Sequence, residues 1–351
     1  MKKRTNNLVI LAAVLVVLAG AFAVISLVNA ANARRAAADG EVLAVIGGIT
    51  EPVEFSYKAG ESELSFYLDG DTWRWSGGPE LPLLQNYLTR IAAQVKGLAA
   101  VRTITEPDAL SEYGLEEPAN ELVVKDADGT SLDLLIGDSS GSDRYAMIAG
   151  GSEVYTIAST LPGFLDTGLF DMVEKDTMQG VTEDEARMIT LSSPEKAFTF
   201  DKMIKSNGSY TWYANINGER GDQIAVYEPE GLEKPARDVL DQVLNALKNQ
   251  TFTACVDYRP DEARLNACGL GTPRCTVTVK YTLTQAGSKA VMNMDSTKTN
   301  GEYTLYIGAQ LEDAESEETS YYAMLEGSDL VYTMAASDVE PLLNALEIIG
   351  V

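Results

Sequence analysis

Tyr113–Lys125 reads YGLEEPANELVVK, and Cys268–Lys280 reads CGLGTPRCTVTVK. Both place Gly-Leu two residues ahead of a proline, and both continue into an apolar stretch that ends in Val-Lys. Two further pairs follow in the same order: LDLLIGD (132–138) over YTLYIGA (303–309), and RYAMIAGGSEVYTIA (144–158) over YYAMLEGSDLVYTMA (321–335). Upstream, DGDTWRW (69–75) resembles NGSYTWY (207–213). The offset grows from 155 to 171 to 177, which longer loops around Thr284–Asn300 and Glu312–Ser320 account for. Ordered matches of this kind mark an internal duplication.

The opening stretch reads as a helix stop. Pro107 and Pro260 suit the first turn of a short helix. Gly114 and Gly269 suit the left-handed position that ends it, which sets Leu115 against Leu110 and Leu270 against Leu265 in a Schellman cap. Pro118 and Pro273 prevent continuation and start the next strand.

Outward from this pair, each copy begins with short strands: Val53–Tyr57, Glu63–Leu68 and Thr72–Trp75, then Met188–Leu191, Ala197–Lys202 and Tyr210–Asn215. Asp69-Gly70, Asn207-Gly208 and Asn217-Gly218 favour hairpin turns between them. A helix follows. In copy one it spans Leu81–Lys96 with Leu84, Leu88, Ile91 and Val95 on one stripe; in copy two it spans Ala236–Asn249 with Val239, Val243, Leu244 and Leu247. Four more strands complete each copy. Val123, Leu132, Leu134 and Ile136 face inward in the first, and Val277, Val279, Leu305 and Ile307 in the second. Short helices at Leu161–Leu165 and Val339–Ile349 close the copies. The expected fold class is α+β: two tandem repeats, each a mainly antiparallel sheet with one main helix packed on it, after an N-terminal transmembrane helix.

The start of the chain is of another kind. Leu8–Val28 is an uncharged run of 21 residues, about 31 Å as a helix and enough to cross a bilayer core. The small residues of Val28-Asn29-Ala30 and Ala31-Asn32-Ala33 leave signal-peptide cleavage open as the alternative. Lys2, Lys3 and Arg4 place the N-terminus in the cytoplasm, although Arg34 and Arg35 weaken the contrast. The expected domains are a cytoplasmic end (1–7), an anchor (8–28), a linker (29–41) and two extracytoplasmic repeats (42–179 and 180–351), with the boundary near Gln179–Thr182. All 52 acidic residues but only 22 of the 27 lysines and arginines follow residue 36, so the outer part carries 22 − 52 = −30. That balance disfavours nucleic acid, and no nucleic-acid partner is expected.

Histidine is absent. Ser-His-Asp, Cys-His and HExxH constellations are therefore excluded. Gly137-Asp138-Ser139-Ser140-Gly141 matches G-x-S-x-G, but it lies between strands where a nucleophile elbow needs a helix. Ser193-Pro194-Glu195-Lys196 matches S-x-x-K ahead of a strand. Asp126-Ala127-Asp128-Gly129 opens like a calcium loop, but position 12 is Gly137 rather than glutamate. All three read as hairpin turns, and Asn207-Gly208-Ser209 reads as a turn or a glycosylation sequon. Trp73, Trp75, Trp212 and Tyr213 are core residues or a sugar-stacking platform. Cys255, Cys268 and Cys275 stand where copy one has Ala100, Tyr113 and Asn120. A Cys255–Cys268 disulfide would close a loop of 14 residues and add about 3 kcal/mol; three free thiols are the alternative. No catalytic, cofactor-binding or metal-ligating residue is assigned.

The YGL-x-x-P turn, the IGD hairpin and the RYAMIAGGSEVYTI strand pair, with the tryptophan strand and helix before them, resemble a bacterial family of unknown function numbered 4340. The resemblance covers most of residues 42–335. It implies a membrane-anchored extracytoplasmic protein, encoded beside ABC transporters of the gliding-motility auxiliary type, and it carries over no catalytic residues. Cys268 for Tyr113 and Ala309 for Asp138 argue against a duplicated aspartate site. The expected function is that of a non-enzymatic accessory or scaffold, with an ABC transporter permease as partner. The alternative is a binding module for an envelope glycan or lipid.

Overall fold

The computed structural model describes residues 45–59, 62–216, 219–223, 236–285, 297–311 and 319–349. The expected cytoplasmic end, anchor and linker lie outside the described residues, as do the Asn217-Gly218 turn and most of both long loops of the second copy. Among the described residues no helix is long and apolar enough to cross a membrane.

The chain divides into two compact units between Gly168 and Leu169. The first contains β1 (Pro52–Ala59), β2 (Ser62–Asp69), β3 (Thr72–Trp75), α1 (Gln85–Val95), β4 (Arg102–Ile104), β5 (Asn120–Asp126), β6 (Ser131–Ser140), β7 (Asp143–Ile148), β8 (Val154–Ala158) and α2 (Thr160–Leu165). Its strands form one eight-stranded sheet in the order β3-β2-β1-β5-β6-β7-β8-β4. The second unit contains β9 (Ala186–Ser192), β10 (Ala197–Ile204), β11 (Tyr210–Ile216), β12 (Glu219–Gln223), α3 (Ala236–Asn249), β13 (Ala254–Tyr258), α4 (Glu262–Ala267), β14 (Cys275–Gln285), β15 (Thr297–Leu311), β16 (Ser320–Leu325), β17 (Leu330–Ala335) and α5 (Ala336–Ile349). Its nine-stranded sheet runs β12-β11-β10-β9-β14-β15-β16-β17-β13. Every pairing in both sheets is antiparallel.

The two orders are one topology, with β12 added at an edge of the second. The registers agree as well. Phe66, Phe55, Val124 and Leu132 form one row across the first sheet. Phe200, Ile189, Val279 and Tyr303 form the matching row in the second. Strand alternation sends such rows to one face, where the core is built. Phe55, Phe66, Val124, Leu132, Ile189, Phe200 and Val279 are all buried.

Five expectations need correction. Strands dominate, so the fold is mainly β rather than clearly α+β. The edge strands β4, β12 and β13 were not expected; β4 has only three residues, too few to show an alternation. The closing helix of the second copy is not short: α5 starts at Ala336 rather than Val339, has 14 residues, packs on α3 and lies against β9, β10, β14, β16 and β17, so this unit has two main helices. Val123 is only half-buried, because its neighbours Leu122 and Val124 occupy the core face. Leu84 is 37% exposed, because it precedes α1 with an extended backbone and so leaves the helical stripe. Leu88, Ile91, Val95 and all four named positions of α3 are buried as expected.

The unit boundary falls ahead of Gln179–Thr182 because residues 169–176 belong to the second unit. The helical turn Leu169–Met172 packs on β13. Lys175 Nζ donates to the Phe252 and Thr253 carbonyls at 3.0 and 2.8 Å. The Asp176 N–H donates to the Tyr332 hydroxyl at 2.8 Å.

Candidate functional site

The repeated Gly-Leu motif forms the same object in both units. Gly114 and Gly269 sit at φ 66° and 68°. The Leu115 N–H reaches the Leu110 carbonyl at 3.0 Å and the Leu270 N–H the Leu265 carbonyl at 2.8 Å, the long bond of a Schellman cap. The prolines lie just outside the helices: the first helix is a 3-10 turn, Leu110–Tyr113, and α4 is capped by Asp261, which accepts from the Arg264 N–H.

Each cap then docks on a strand. A Cβ on Gly137 would collide with the Tyr113 carbonyl oxygen, and one on Gly308 with that of Cys268. The second contact is a hydrogen bond, Ala309 N–H to the Cys268 carbonyl at 2.8 Å. The sheet register shifts at these points, between Ile136 and Ser139 and between Ile307 and Gln310. The IG of IGD and IGA is therefore a strand bulge that lets a helix end approach. Around it lie Tyr113, Leu115, Met147 and Val154 in one unit, and Cys268, Leu270 and Val331 with half-buried Met324 in the other. These clusters correspond position by position and are packing, not a site.

The tempting motifs resolve as turns. Ser139 pairs with Arg144 in the β6–β7 hairpin. The Ser193 N–H donates to the Lys196 carbonyl at 2.8 Å between β9 and β10. Asp126 accepts from the Thr50 N–H and hydroxyl and from the Glu51 N–H. Burial opposes its charged form, but these donors outweigh it and hold the carboxyl below the usual aspartate range. Asn207 Oδ1 accepts from the Ser209 N–H and hydroxyl in a hairpin turn. Trp73 and Trp212 are buried core residues on equivalent strands, and Trp75 lies over Gly77.

The three cysteines are free and buried. Cys255 lies opposite Tyr332 in the β13–β17 ladder, whereas Cys268 packs with Leu270 and Val331. Neighbours along a strand face opposite sides, so these thiols belong to different faces and the disulfide alternative fails. Register also corrects the first-copy counterpart of Cys255: Thr103 lies opposite Tyr155 as Cys255 lies opposite Tyr332. Burial pushes the Cys255 thiol up to about 11 and the Cys275 thiol up to about 12. Protonated thiols of this kind are poor nucleophiles.

One polar constellation belongs to the second unit alone, and the sequence motifs did not reveal it. Arg237, in the first turn of α3, grips Glu183 in a two-pronged pair at 2.9 Å on each arm and holds Asp241 at 2.7 Å. Trp212 Nε1 donates to the same Glu183 at 3.1 Å. Lys202 donates to the Glu183 and Asp184 carbonyls and lies 3.9 Å from the centre of the Tyr210 ring. The hydrogen bond from Arg237 holds the Glu183 carboxyl below the ordinary glutamate range against the opposing effect of burial. Burial, aided by the charge of Arg187, lowers the Lys202 amine. At 7% exposure Lys202 offers no open path to a substrate. The cluster ties the 183–185 segment to β10, β11 and α3. Where Lys202 faces Trp212, the first unit has Leu68 facing Trp73, and Gln85 of α1 binds the Trp73 backbone.

A groove of about 450 Å³ with a mixed polar and apolar lining runs between α3 and α5, with Gln242, Asn245, Asn249, Asn344, Ala246 and Pro341 among the residues that line it. Among the described residues no three Cys, Asp or Glu side chains converge as a metal-holding group. No curated protein matches the chain. A family model does match it, from Trp73 on β3 to Leu270 in the second helix stop, and the region between holds the first copies of the helix stop, the IGD strand and the RYAM strand pair. With residues 73–270 matched, more than half its length, the chain belongs to the family described as Domain of unknown function (DUF4340).

Proposed function

We propose that this is a membrane-anchored extracytoplasmic accessory or scaffold protein of an ABC-type transport system, with no catalytic step of its own. In this reading Leu8–Val28 is an uncleaved single-pass helix with the N-terminus in the cytoplasm. The two repeats, each a helix-backed antiparallel sheet, stand outside. One observation carries the non-enzymatic part: what the two units hold in common is frame. Trp73 and Trp212, Gly114 and Gly269, Leu115 and Leu270, Gly137 and Gly308 are shared packing positions. The polar constellation around Glu183 is not shared. A duplicated frame without a duplicated polar centre supports a role carried by surfaces. The association with a transporter rests on the family resemblance. The test is capture of the tagged full chain from detergent-solubilised membranes. Recovery of a transporter permease supports the proposal, and repeated recovery of no membrane partner contradicts it.

The groove between α3 and α5 favours the second reading, a module that binds an envelope glycan or lipid. Its lining joins the amides of Gln242, Asn245, Asn249 and Asn344 to the apolar Ala246 and Pro341, a mixture that suits a glycan. A thermal shift with soluble glycan fragments, abolished by Asn245→Leu, would support it; no shift would remove it.

A further inference from the structure

The two units share a topology, so a difference at one position can be traced residue by residue. In the β2–β3 hairpin, Asp69 pairs with Thr72 across the two residues Gly70 and Asp71. In the β10–β11 hairpin, the equivalent pair is Met203 and Thr211, with the seven residues 204–210 between them. Register fixes the equivalence, since Leu68 opposes Trp73 as Lys202 opposes Trp212. The second hairpin is therefore five residues longer, 7 − 2.

The extra length has its own chemistry. Of the six large apolar side chains exposed among the described residues, Met203, Ile204 and Tyr210 lie on this one tip, at 40%, 48% and 39% exposure. Ile204 and Tyr210 are a cross-strand pair, and Lys202 sits under the tyrosine ring. Lys205 is exposed beside them. The acidic tip of the first unit, Asp69 and Asp71, has become a stretch (202–210) with two lysines and no acid, in a chain of net charge −25. A hairpin end that joins apolar side chains, a tyrosine and a lysine has the composition that settles at a bilayer interface: the ring at headgroup level and the amine in water.

We propose that the β10–β11 tip is a lipid-contacting surface, resting on an anionic bilayer with Met203, Ile204 and Tyr210 in the interface. The proposal rests on the membrane residence argued above. The 16 residues 29–44 reach at most about 58 Å, which confines the chain to the neighbourhood of its own membrane and raises the effective concentration of a weak contact. The charge supports a local contact only: the acidic remainder is repelled by anionic lipid and the exposed Lys205 is attracted, whereas Lys202 is buried against the Glu183 and Asp184 carbonyls.

The test uses the full chain reconstituted in vesicles of phosphatidylcholine with phosphatidylglycerol, and in phosphatidylcholine alone. Ile204→Cys carries an environment-sensitive fluorophore; Asp69→Cys, on the equivalent acidic tip, is the reference. The native thiols are buried and stay unlabelled in the folded protein. The proposal predicts a blue shift and quenching by spin-labelled lipid at position 204, stronger with phosphatidylglycerol and weakened by salt, with neither effect at position 69. Lys205→Glu should weaken the signal without altering the unfolding midpoint. Equal behaviour at 204 and 69 overturns the proposal. So does a shift at 204 that needs a co-purified membrane protein, which would make the tip a protein contact. A negative result here alongside recovery of a permease by capture would remove the lipid contact and leave the scaffold reading standing.

Discussion

At the scale of single residues, the glycines of the helix stops are the most constrained positions. Gly114→Ala and Gly269→Ala must hold a side chain in the left-handed region, which costs about 1–2 kcal/mol. Each new Cβ would also press on a strand, 2.6 Å from Asp138 Cγ in one unit and from Ala309 N in the other. Denaturant unfolding should show each variant destabilised by at least that amount. These two glycines were legible in the sequence because a Schellman cap is local: its leucines and glycine lie within six residues. Gly137 and Gly308 were not, because what they make room for is a carbonyl more than twenty residues away. Val123 was misread for a related reason, since the alternation of β5 had to be phased by Leu122 and Val124. The pair of Glu183 with Arg237 yields a pH prediction. The folded carboxyl lies below its ordinary value of 4.5, so the stabilisation is fully present above about that pH. It is lost as pH falls through the lowered folded value. With both partners part-exposed the increment is about 1 kcal/mol. Glu183→Gln should remove that increment at neutral pH and flatten the acid limb of a stability–pH curve; an unchanged limb would deny the pair any role in folding. A thiol count on unfolded, unreduced protein should return three.

At the scale of elements, the central strands and both main helices could be read from their periods, whereas the sheet edges could not. β4 is three residues long and β13 carries a register shift between Cys255 and Asp257, so neither shows a clean alternation. Their place beside β8 and β17 follows from the whole sheet. The long β10–β11 hairpin is the element that most separates the two copies. Replacing residues 204–210 by Gly-Asp would recreate the two-residue turn of the first unit. Its extra rungs are exposed and lie beyond the core rows, so the second unit should keep its fold with a stability change of about 1 kcal/mol or less, measured by denaturant unfolding. With the fluorophore moved to Met203→Cys, a position both hairpins retain, the lipid signal should disappear in the same variant. Collapse of the unit would instead mean that the tip is part of its core.

At the scale of the whole molecule, the protein is one sheet topology used twice, and the motifs that mark it are the joints of that frame. The repeat was legible because packing positions recur in order: the helix stop, the bulge glycine and the Ala-Met and Val-Tyr-Thr strands. The polar constellation around Glu183 was not, since it is assembled from four segments and has no counterpart in the first copy. This asymmetry underlies the functional reading: the common parts build a scaffold, and what is specific lies on surfaces of the second unit. The claim that the shared motif is structural is tested most directly by Gly137→Ala and Gly308→Ala, each made in the full chain and followed by denaturant unfolding. The account predicts that both variants lose stability by a similar amount, about 3 kcal/mol, because each added methyl meets the carbonyl of a docked helix end. Unchanged stability in either variant would contradict it.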